Sequence, residues 1–388
     1  MNKLPKVAII TSFPRAQRVE VYNEMARLGE VNFRVFYLRQ MPHGRHWEYG
    51  PEIEHDHVFI PEVRLRQHLY LSPGLLREYL RFAPDLMIMT QYAAPAMQKI
   101  MYLETLRRRP WVFWAEGPHV RYSDAPIVGN ERLRNALRRV ALWPLRHANE
   151  IWAIGARALA EYREAVGDQV RIENLPYFSD LDRFFAAGAE RERAGRVRFL
   201  FCGSLHLRKG ADVVAEAARV LDGEGLDFEL HVVGKGELES RFRALPEQVR
   251  ARLHLYGFRQ LNDIPNFYKN SDVLLFPSRH DGWGMTLPEG LAAGMPAIST
   301  AQTGAAVDML RDGRSGFLLP ELTLENLTGA MRQFIMHPDL IRDMGQEARR
   351  TAENYTHRVG ARRFLDMILR AVRDYAQAPA DELEPAGR

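Results

Sequence analysis

Twelve short apolar runs, rich in β-branched and aromatic residues, alternate along this chain with longer stretches of helical spacing. The first six are VAIITS, VNFRVFYL, HVFIP, LMIMT, WVFWAE and EIWAIG; the second six are VRFLFCG, FELHVVG, LHLYG, DVLLFPS, PAIST and GFLLP. Near-continuous apolar runs describe strands covered on both faces, and strands alternating with helices describe parallel sheets. The intervening segments, such as ADVVAEAARVLDGEG and ENLTGAMRQFIM, carry apolar residues near a 3.6 period. A chain of 388 residues exceeds one typical core. The expected fold is α/β, two tandem doubly wound parallel-sheet domains.

The polar, charged passage from Asn174 to Gly195 separates the two strand series. The expected division is residues 1–176 and 177–355. A helix over 356–376, with Phe364, Ile368 and Val372 on one face, is expected to pack back on the first domain. The Ala/Pro/acid-rich end, 377–388, is expected to be disordered.

Composition excludes several classes. Charged residues are 26% of the chain and the formal net charge is +4, too mild to single out nucleic acid as a partner. The single cysteine, Cys202, gives no disulfide framework, no basis for a structural zinc site, and a fit to a reducing compartment. The first apolar run, Val7 to Ile10, is too short for a signal-peptide core, and no apolar stretch is long enough to span a bilayer. These readings point to the cytoplasm.

Ligands of open parallel sheets sit at the carboxyl ends of the strands. Three such ends in the second half carry unusual residues. After VRFLFCG come Ser204, Arg208 and Lys209, with a helix expected from Gly210 or Ala211; two cations beside a helix start suit a diphosphate, and a solvated basic loop is the plain alternative. After FELHVVG, Gly234 and Gly236 mark a tight turn. After DVLLFPS come Asp281 and Glu289, with Gly282 and Gly284 between them, so bare backbone adjoins two acids. Turn capping by Asp281 and helix-start electrostatics by Glu289 are the structural alternatives. Neither accounts for the glycines. A sugar nucleotide does: one carboxylate for sugar hydroxyls, one for the ribose diol, and backbone N–H groups for the charge between.

The segment DGWGMTLPEGLAAGMP resembles the acid, seven residues, Glu hallmark of retaining glycosyltransferases of the two-Rossmann-domain (GT-B) class, glycosyltransferase family 4. GSLHLRKG, VVGKGELES, LYGF, SDVLLFPS and GRSGFLLP resemble its further motifs, in its order, over about Val197 to Pro320. The resemblance implies two Rossmann-like domains with a cleft between them. It also implies transfer of a sugar from a nucleoside diphosphate sugar, UDP- or GDP-linked, to an acceptor hydroxyl with retention, with no metal and no permanently bound cofactor. Glu289 would hold the ribose and Asp281, in place of the family's usual Glu, the donor-sugar hydroxyls. Gly282, Trp283, Gly284 and Met285 would offer backbone N–H groups, and Lys209 would meet the diphosphate. Gly203 and Ser204 would line the same site; Ser204 stands where the family often has Arg, and Arg208 is the candidate substitute. The loop Gly257–Phe258–Arg259 would lie near the base, and Gly234 is counted with the donor-binding residues. Many relatives build cell-envelope polysaccharide or glycolipid, so a glycan or lipid-linked acceptor is expected. The rival readings are a non-catalytic nucleotide-sugar-binding protein and a nucleotide-sugar epimerase.

The first half is expected to hold the acceptor. Arg15 and Arg18 follow the first strand and would suit an anionic acceptor; a solvated loop before a helix is the plain alternative. Glu116 ends WVFWAE and His119 follows it; a structural role is the plain alternative for both, and the resemblance makes His119 the leading catalytic candidate there; the catalytic set is His119, Glu116, Asp281 and Lys209. The segment Glu131 to Glu150 sets Leu133, Leu137 and Val140 on one helical face, with Arg132, Arg138 and Arg139 largely elsewhere and Trp143 at its end. Two readings stand there: a helix lying on an anionic membrane, which would place the protein peripherally on the inner face of the plasma membrane, or an ordinary surface helix. The net charge, about +5 over the first 180 residues and about −1 over the rest, agrees with the first reading.

Overall fold

The computed structural model describes residues 3–40, 50–61, 63–66, 69–92, 94–118, 140, 142–190 and 195–377. The chain divides into two compact units: Met1–His46 with Gly50–Ser179 and His357–Arg388, and Asp180–Thr356 with Trp47–Tyr49. Each is built on its own parallel sheet.

In the first unit the strands are β1 (Lys6–Thr11), β2 (Asn32–Tyr37), β3 (His57–Phe59), β6 (Leu86–Met89), β7 (Trp111–Ala115), β8 (Glu150–Ala153) and β9 (Arg171–Asn174), in the order β3-β2-β1-β6-β7-β8-β9. A short antiparallel hairpin, β4 (Val63–Arg66) and β5 (Leu69–Leu71), precedes the helix Gly74–Phe82. The central strands β6, β7 and β8 are buried along their whole length, as parallel strands covered on both faces must be. The C-terminal helix His357–Gln377 belongs to this unit. Its Phe364 is buried edge-on among Trp114, Trp152 and Tyr22, at centroid distances of 4.8, 5.6 and 6.2 Å. Its Arg370 donates to the buried Glu150 at 2.6 Å, and Tyr375 donates to the same carboxylate at 3.1 Å. A carboxylate this deep is tolerable because Trp152 Nε1 also donates to it, at 2.7 Å.

In the second unit the strands are β10 (Val197–Cys202), β11 (Phe228–Val233), β12 (Leu253–Gly257), β13 (Val273–Phe276), β14 (Ala297–Thr300) and β15 (Gly316–Leu319). They run β12-β11-β10-β13-β14-β15, all parallel. Numbered within the unit this is 3-2-1-4-5-6, the doubly wound order whose direction reverses between β10 and β13. Phe199, Phe201, Leu230, Val232 and Leu275 pack with Val214, Ala218 and Leu221 of the helix Ala211–Gly223 to form its core. The fold is thus two tandem Rossmann-like α/β domains. Among the described residues no helix is long and apolar enough to cross a membrane. Residues 378–388, and residues 119–139 and 141, lie outside the described residues; with them go His119 and most of the arginine-rich segment.

Candidate functional site

The reversal point of the second sheet gathers the residues singled out at two strand ends. From β10 the chain passes Gly203 and Ser204 and makes a short 3-10 turn, Leu207–Lys209, before the helix Ala211–Gly223. From β13 it passes Pro277 and reaches Asp281, then enters the helix Thr286–Ala292. The two loops are stitched together. Arg279 N–H donates to Arg208 O at 2.8 Å, Arg208 Nη1 donates to His280 O at 2.9 Å, and Arg279 forks onto Asp212 with two bonds of 2.7 Å. Gly210 sits where they cross, at φ 74°, and a Cβ there would fall 2.2 Å from Pro277 O. The glycine of this motif is therefore demanded by backbone against backbone.

Asp281 is anchored from a third loop: its N–H donates to Gln302 O at 3.2 Å and its carbonyl accepts from Gly304 N–H at 3.1 Å. Its carboxylate, 16% exposed, forms an ion pair with Lys209 Nζ, 15% exposed, and Arg208 Nη1 lies 3.8 Å away. Lys209 also lies over the Phe276 ring at 5.0 Å. The expected diphosphate lysine and the expected sugar-binding acid thus meet directly. Ser204 is exposed, and Arg208 beside Asp281 supplies the second cation of the loop.

Glu289, in the first turn of Thr286–Ala292, is recessed and keeps part of its surface accessible. Tyr268, fully buried on the helix Ile264–Lys269, donates to Glu289 Oε2 at 2.9 Å. Burial pushes the Glu289 carboxyl up to about 7, against the opposing influence of Tyr268 and of the Arg183 charge. Burial and the neighbouring Glu289 also push the Cys202 thiol up to about 12, so this thiol stays neutral. A recessed carboxyl whose burial favours its neutral form, on the helix that follows β13 at the sheet reversal point, is a candidate functional group. Tyr268→Phe removes the donor that favours the charged form. The pH midpoint of any ligand binding that needs ionised Glu289 is then expected to move upward, with affinity at pH 7 falling by less than about tenfold, as calorimetry across pH 6 to 9 would read.

The glycines between the acids have a second reason. Gly284 is at φ 98°, and a Cβ there would lie 2.5 Å from the Phe276 ring. Trp283 is 2% exposed and its ring faces Tyr355 at 6.1 Å, so only its backbone is placed to meet a ligand. Met285 is the residue immediately before the helix Thr286–Ala292. Gly234 serves packing first: at φ 137°, a Cβ would fall 1.9 Å from Gly203 O. Beside it opens a cavity of about 380 Å³ lined by Gly234, Lys235, Arg243, Tyr256 and Gly257 among others. Phe258 is 36% exposed next to it. Lys235, Arg243, Tyr268 and Arg183 were not among the expected site residues; their approach depends on helix and loop packing that no local pattern encodes.

In the first unit the expectation for Arg18 is corrected. Its side chain is 3% exposed, donates to Thr11 Oγ1 at 2.9 Å and Tyr177 OH at 3.1 Å, and lies over the Trp114 ring at 4.7 Å. It ties β1 to β7 and Tyr177 and is not offered to an acceptor. Arg15 stays accessible, 3.9 Å from Glu116. The Glu116 carbonyl accepts from Tyr162 at 2.6 Å, and its side chain, just past β7, is 36% exposed.

Residues 182–351 match the family model of glycosyl transferases group 1. The match takes in nearly all of the second unit and less than half of the chain. Among curated relatives, a putative glycosyltransferase EpsD of Bacillus subtilis is 32% identical over 159 residues, 40% of this chain and 41% of that protein. A GDP-mannose-dependent alpha-(1-6)-phosphatidylinositol monomannoside mannosyltransferase of Mycolicibacterium smegmatis is 24% identical over 65% of this chain and 68% of its own length. The chain spans 41% to 58% of the length of the first curated relatives it matches. Sucrose-phosphate synthase from Thermosynechococcus elongatus aligns over 96% of this chain and 100% of its own at a TM-score of 0.71 and 16% identity. HepE of Anabaena, solved in complex with UDP, aligns over 95% and 100% at a TM-score of 0.71 and 15% identity. At these identities the likeness speaks to the fold, two Rossmann-like domains of the GT-B kind.

Proposed function

We propose that the protein is a retaining, metal-independent glycosyltransferase that moves a sugar from a nucleoside diphosphate sugar to an acceptor hydroxyl. The observation that carries this is the convergence of Lys209, Arg208, Asp281 and Glu289 at one reversal point. A diphosphate takes the place of Asp281 as partner of Lys209, and Arg208 adds the second charge. These two cations supply the electrostatic stabilisation that a departing diphosphate requires. Glu289, once ionised, accepts from the ribose diol. Asp281, released from Lys209, accepts from the donor-sugar hydroxyls. The base lies toward Gly257 and Phe258, where the cavity opens.

The C–O bond between the anomeric carbon and the diphosphate breaks, the acceptor oxygen bonds to that carbon from the same face, and the acceptor proton goes to the leaving phosphate oxygen. Lys209 and Arg208 hold the charge that develops there. Glu116 and His119 are the candidates for binding and orienting acceptor and reaction centre. The acceptor class we favour is a glycan or lipid-linked glycan of the cell envelope. Relatives named for colanic acid biosynthesis and for phosphatidylinositol mannoside mannosylation support it.

The test is a thermal-shift and calorimetric screen of UDP, GDP and their common sugars, followed by proton NMR of the product's anomeric configuration. A shift of several degrees with one donor, and a product of the donor's own anomeric configuration, is expected. Donor binding with inversion, or with epimerisation in place of transfer, overturns the reading.

A further inference from the structure

The second sheet carries a separate cluster on the strands that end at the cavity. Side chains two apart on a strand share a face, and residues in register on neighbouring parallel strands stand side by side on it. Glu229 and His231 are two apart on β11, and His254 on β12 is the register partner of His231. Phe228, Leu230 and Val232, the alternate residues, face the core helices, so the three polar side chains fall together on the other face. Their ligand atoms all lie within 4.8 Å of one another. His231 Nε2 is 3.5 Å from Glu229 Oε2, and His254 Nε2 is 3.8 Å from the same oxygen.

We propose that Glu229, His231 and His254 form a binding site for a first-row divalent transition-metal ion, with Zn²⁺ as the best match. Two imidazoles and one carboxylate are a donor set typical of zinc with one coordination position left to water. Zinc–ligand distances of about 2.0–2.2 Å in a tetrahedron put ligand atoms roughly 3.3–3.5 Å apart. The His231 to Glu229 separation is already there, and the His254 side chain, 43% exposed, has room to turn inward.

A second observation points the same way. His231 is 6% exposed, and its buried Nε2 makes no well-formed hydrogen bond; it faces Glu229 at the edge of hydrogen-bonding range. Its other nitrogen, Nδ1, lies 3.4 Å from the buried Ser271 Oγ, the kind of outer partner that fixes a ligating ring. The nearby cations do not fill the site. Arg198 is held by Asp272 through two bonds of 2.9 Å, and Arg196 is bonded to Asp227 at 2.7 Å and approaches only Glu229 Oε1, at 3.8 Å. A bound ion would staple the edge strand β12 to β11, just before Tyr256 and Gly257 reach the cavity.

The test uses the full chain stripped with a chelator, titrated with Zn²⁺ against a chromophoric chelator, and separately with Co²⁺ to read the visible absorption of a tetrahedral site. Wild type is expected to take one equivalent with a Kd of about 1 μM or tighter. His254→Ala, a change at an exposed position, is expected to keep the circular dichroism of the wild type and weaken binding at least ~10-fold, with Glu229→Gln weakened in the same direction. Weaker wild-type binding than about 10 μM, or one equivalent bound equally well by His254→Ala, overturns the site.

Discussion

Glu289→Gln is expected to weaken nucleotide binding by ~10²-fold, and at pH 8 to make the ligand-free protein more stable than wild type by about 1–2 kcal/mol. Both effects come from one carboxyl group. Burial raises it from an ordinary 4.5 to about 7 in the folded chain. Between those values the folded state holds a proton that the unfolded state has given up. Stability therefore falls as pH rises through that window, and the full cost is present above 7. Two and a half units correspond to roughly 3 kcal/mol at most, and the partial solvent access of Glu289 reduces this. Glutamine is neutral at every pH, so the variant and the wild type should differ least at pH 5, just above the unfolded-state value of 4.5, and diverge toward pH 8. Binding should run the other way. A ribose diol donates to an ionised carboxylate, so wild-type affinity should tighten as pH rises through 7 while the variant stays weak and flat. Urea unfolding at pH 5 and 8, with calorimetry of UDP and GDP over the same range, measures both. Equal stabilities at both pH values with undiminished binding would reject the assignment.

Residues that act through local sequence were readable before the structure; residues that act through packing were not. All twelve apolar runs are strands: central ones such as β7 and β13 carry burial in consecutive positions, while the edge strands β3 and β12 are half-buried or exposed and are marked by their apolar residues alone. The edge strand β9, RIEN, has one apolar residue and is exposed or half-buried throughout, so nothing in its pattern sets it apart from loop. The hairpin β4–β5 is likewise too short and too basic to announce itself. At the site, Arg208, Lys209, Asp281 and Glu289 could be read because their motifs sit at strand ends, where the doubly wound order brings them together. Tyr268 could not. It belongs to an unremarkable stretch, DIPNFYKN, and matters only because its helix presents its hydroxyl to Glu289. The contact between Lys209 and Asp281 was also not legible. The sequence assigns each of them a different part of a ligand, and only the stitched loops show that the two side chains pair with each other. The case of Arg18 is the reverse: its position after β1 suggests an anion site, yet the aromatic faces of Trp114 and Tyr177 enclose it. For His231 and His254, strand register alone makes neighbours of residues far apart in sequence.

Lys209→Ala is expected to lower turnover by ~10²–10³-fold, with a loss of folding stability of no more than about 1–2 kcal/mol. The asymmetry follows from what the lysine touches in each state. Without ligand it faces Asp281, and removing it leaves a carboxylate only 16% exposed. That carboxylate is not abandoned, because Arg208, half exposed, already stands 3.8 Å away. The cost to the fold is thus that of a partly compensated pair. In the proposed reaction the lysine has a different partner. Charge grows on the departing diphosphate as the glycosidic bond lengthens, and a cation fixed against it counts most at that point. Arg208, whose guanidinium is tethered to His280 O, cannot occupy both places. Asp281→Asn separates the two roles further. It frees Lys209 and removes a negative charge next to the phosphates, so the bare nucleoside diphosphate should bind more tightly than to wild type, by up to about tenfold. Turnover should still fall, because the neutral amide is a weaker acceptor for the donor-sugar hydroxyls. Nucleotide affinities and kcat for wild type, Lys209→Ala and Asp281→Asn distinguish these outcomes. If Asp281→Asn weakens the bare nucleotide as much as Lys209→Ala does, Asp281 is itself a nucleotide ligand and the exchange of partners at Lys209 does not occur.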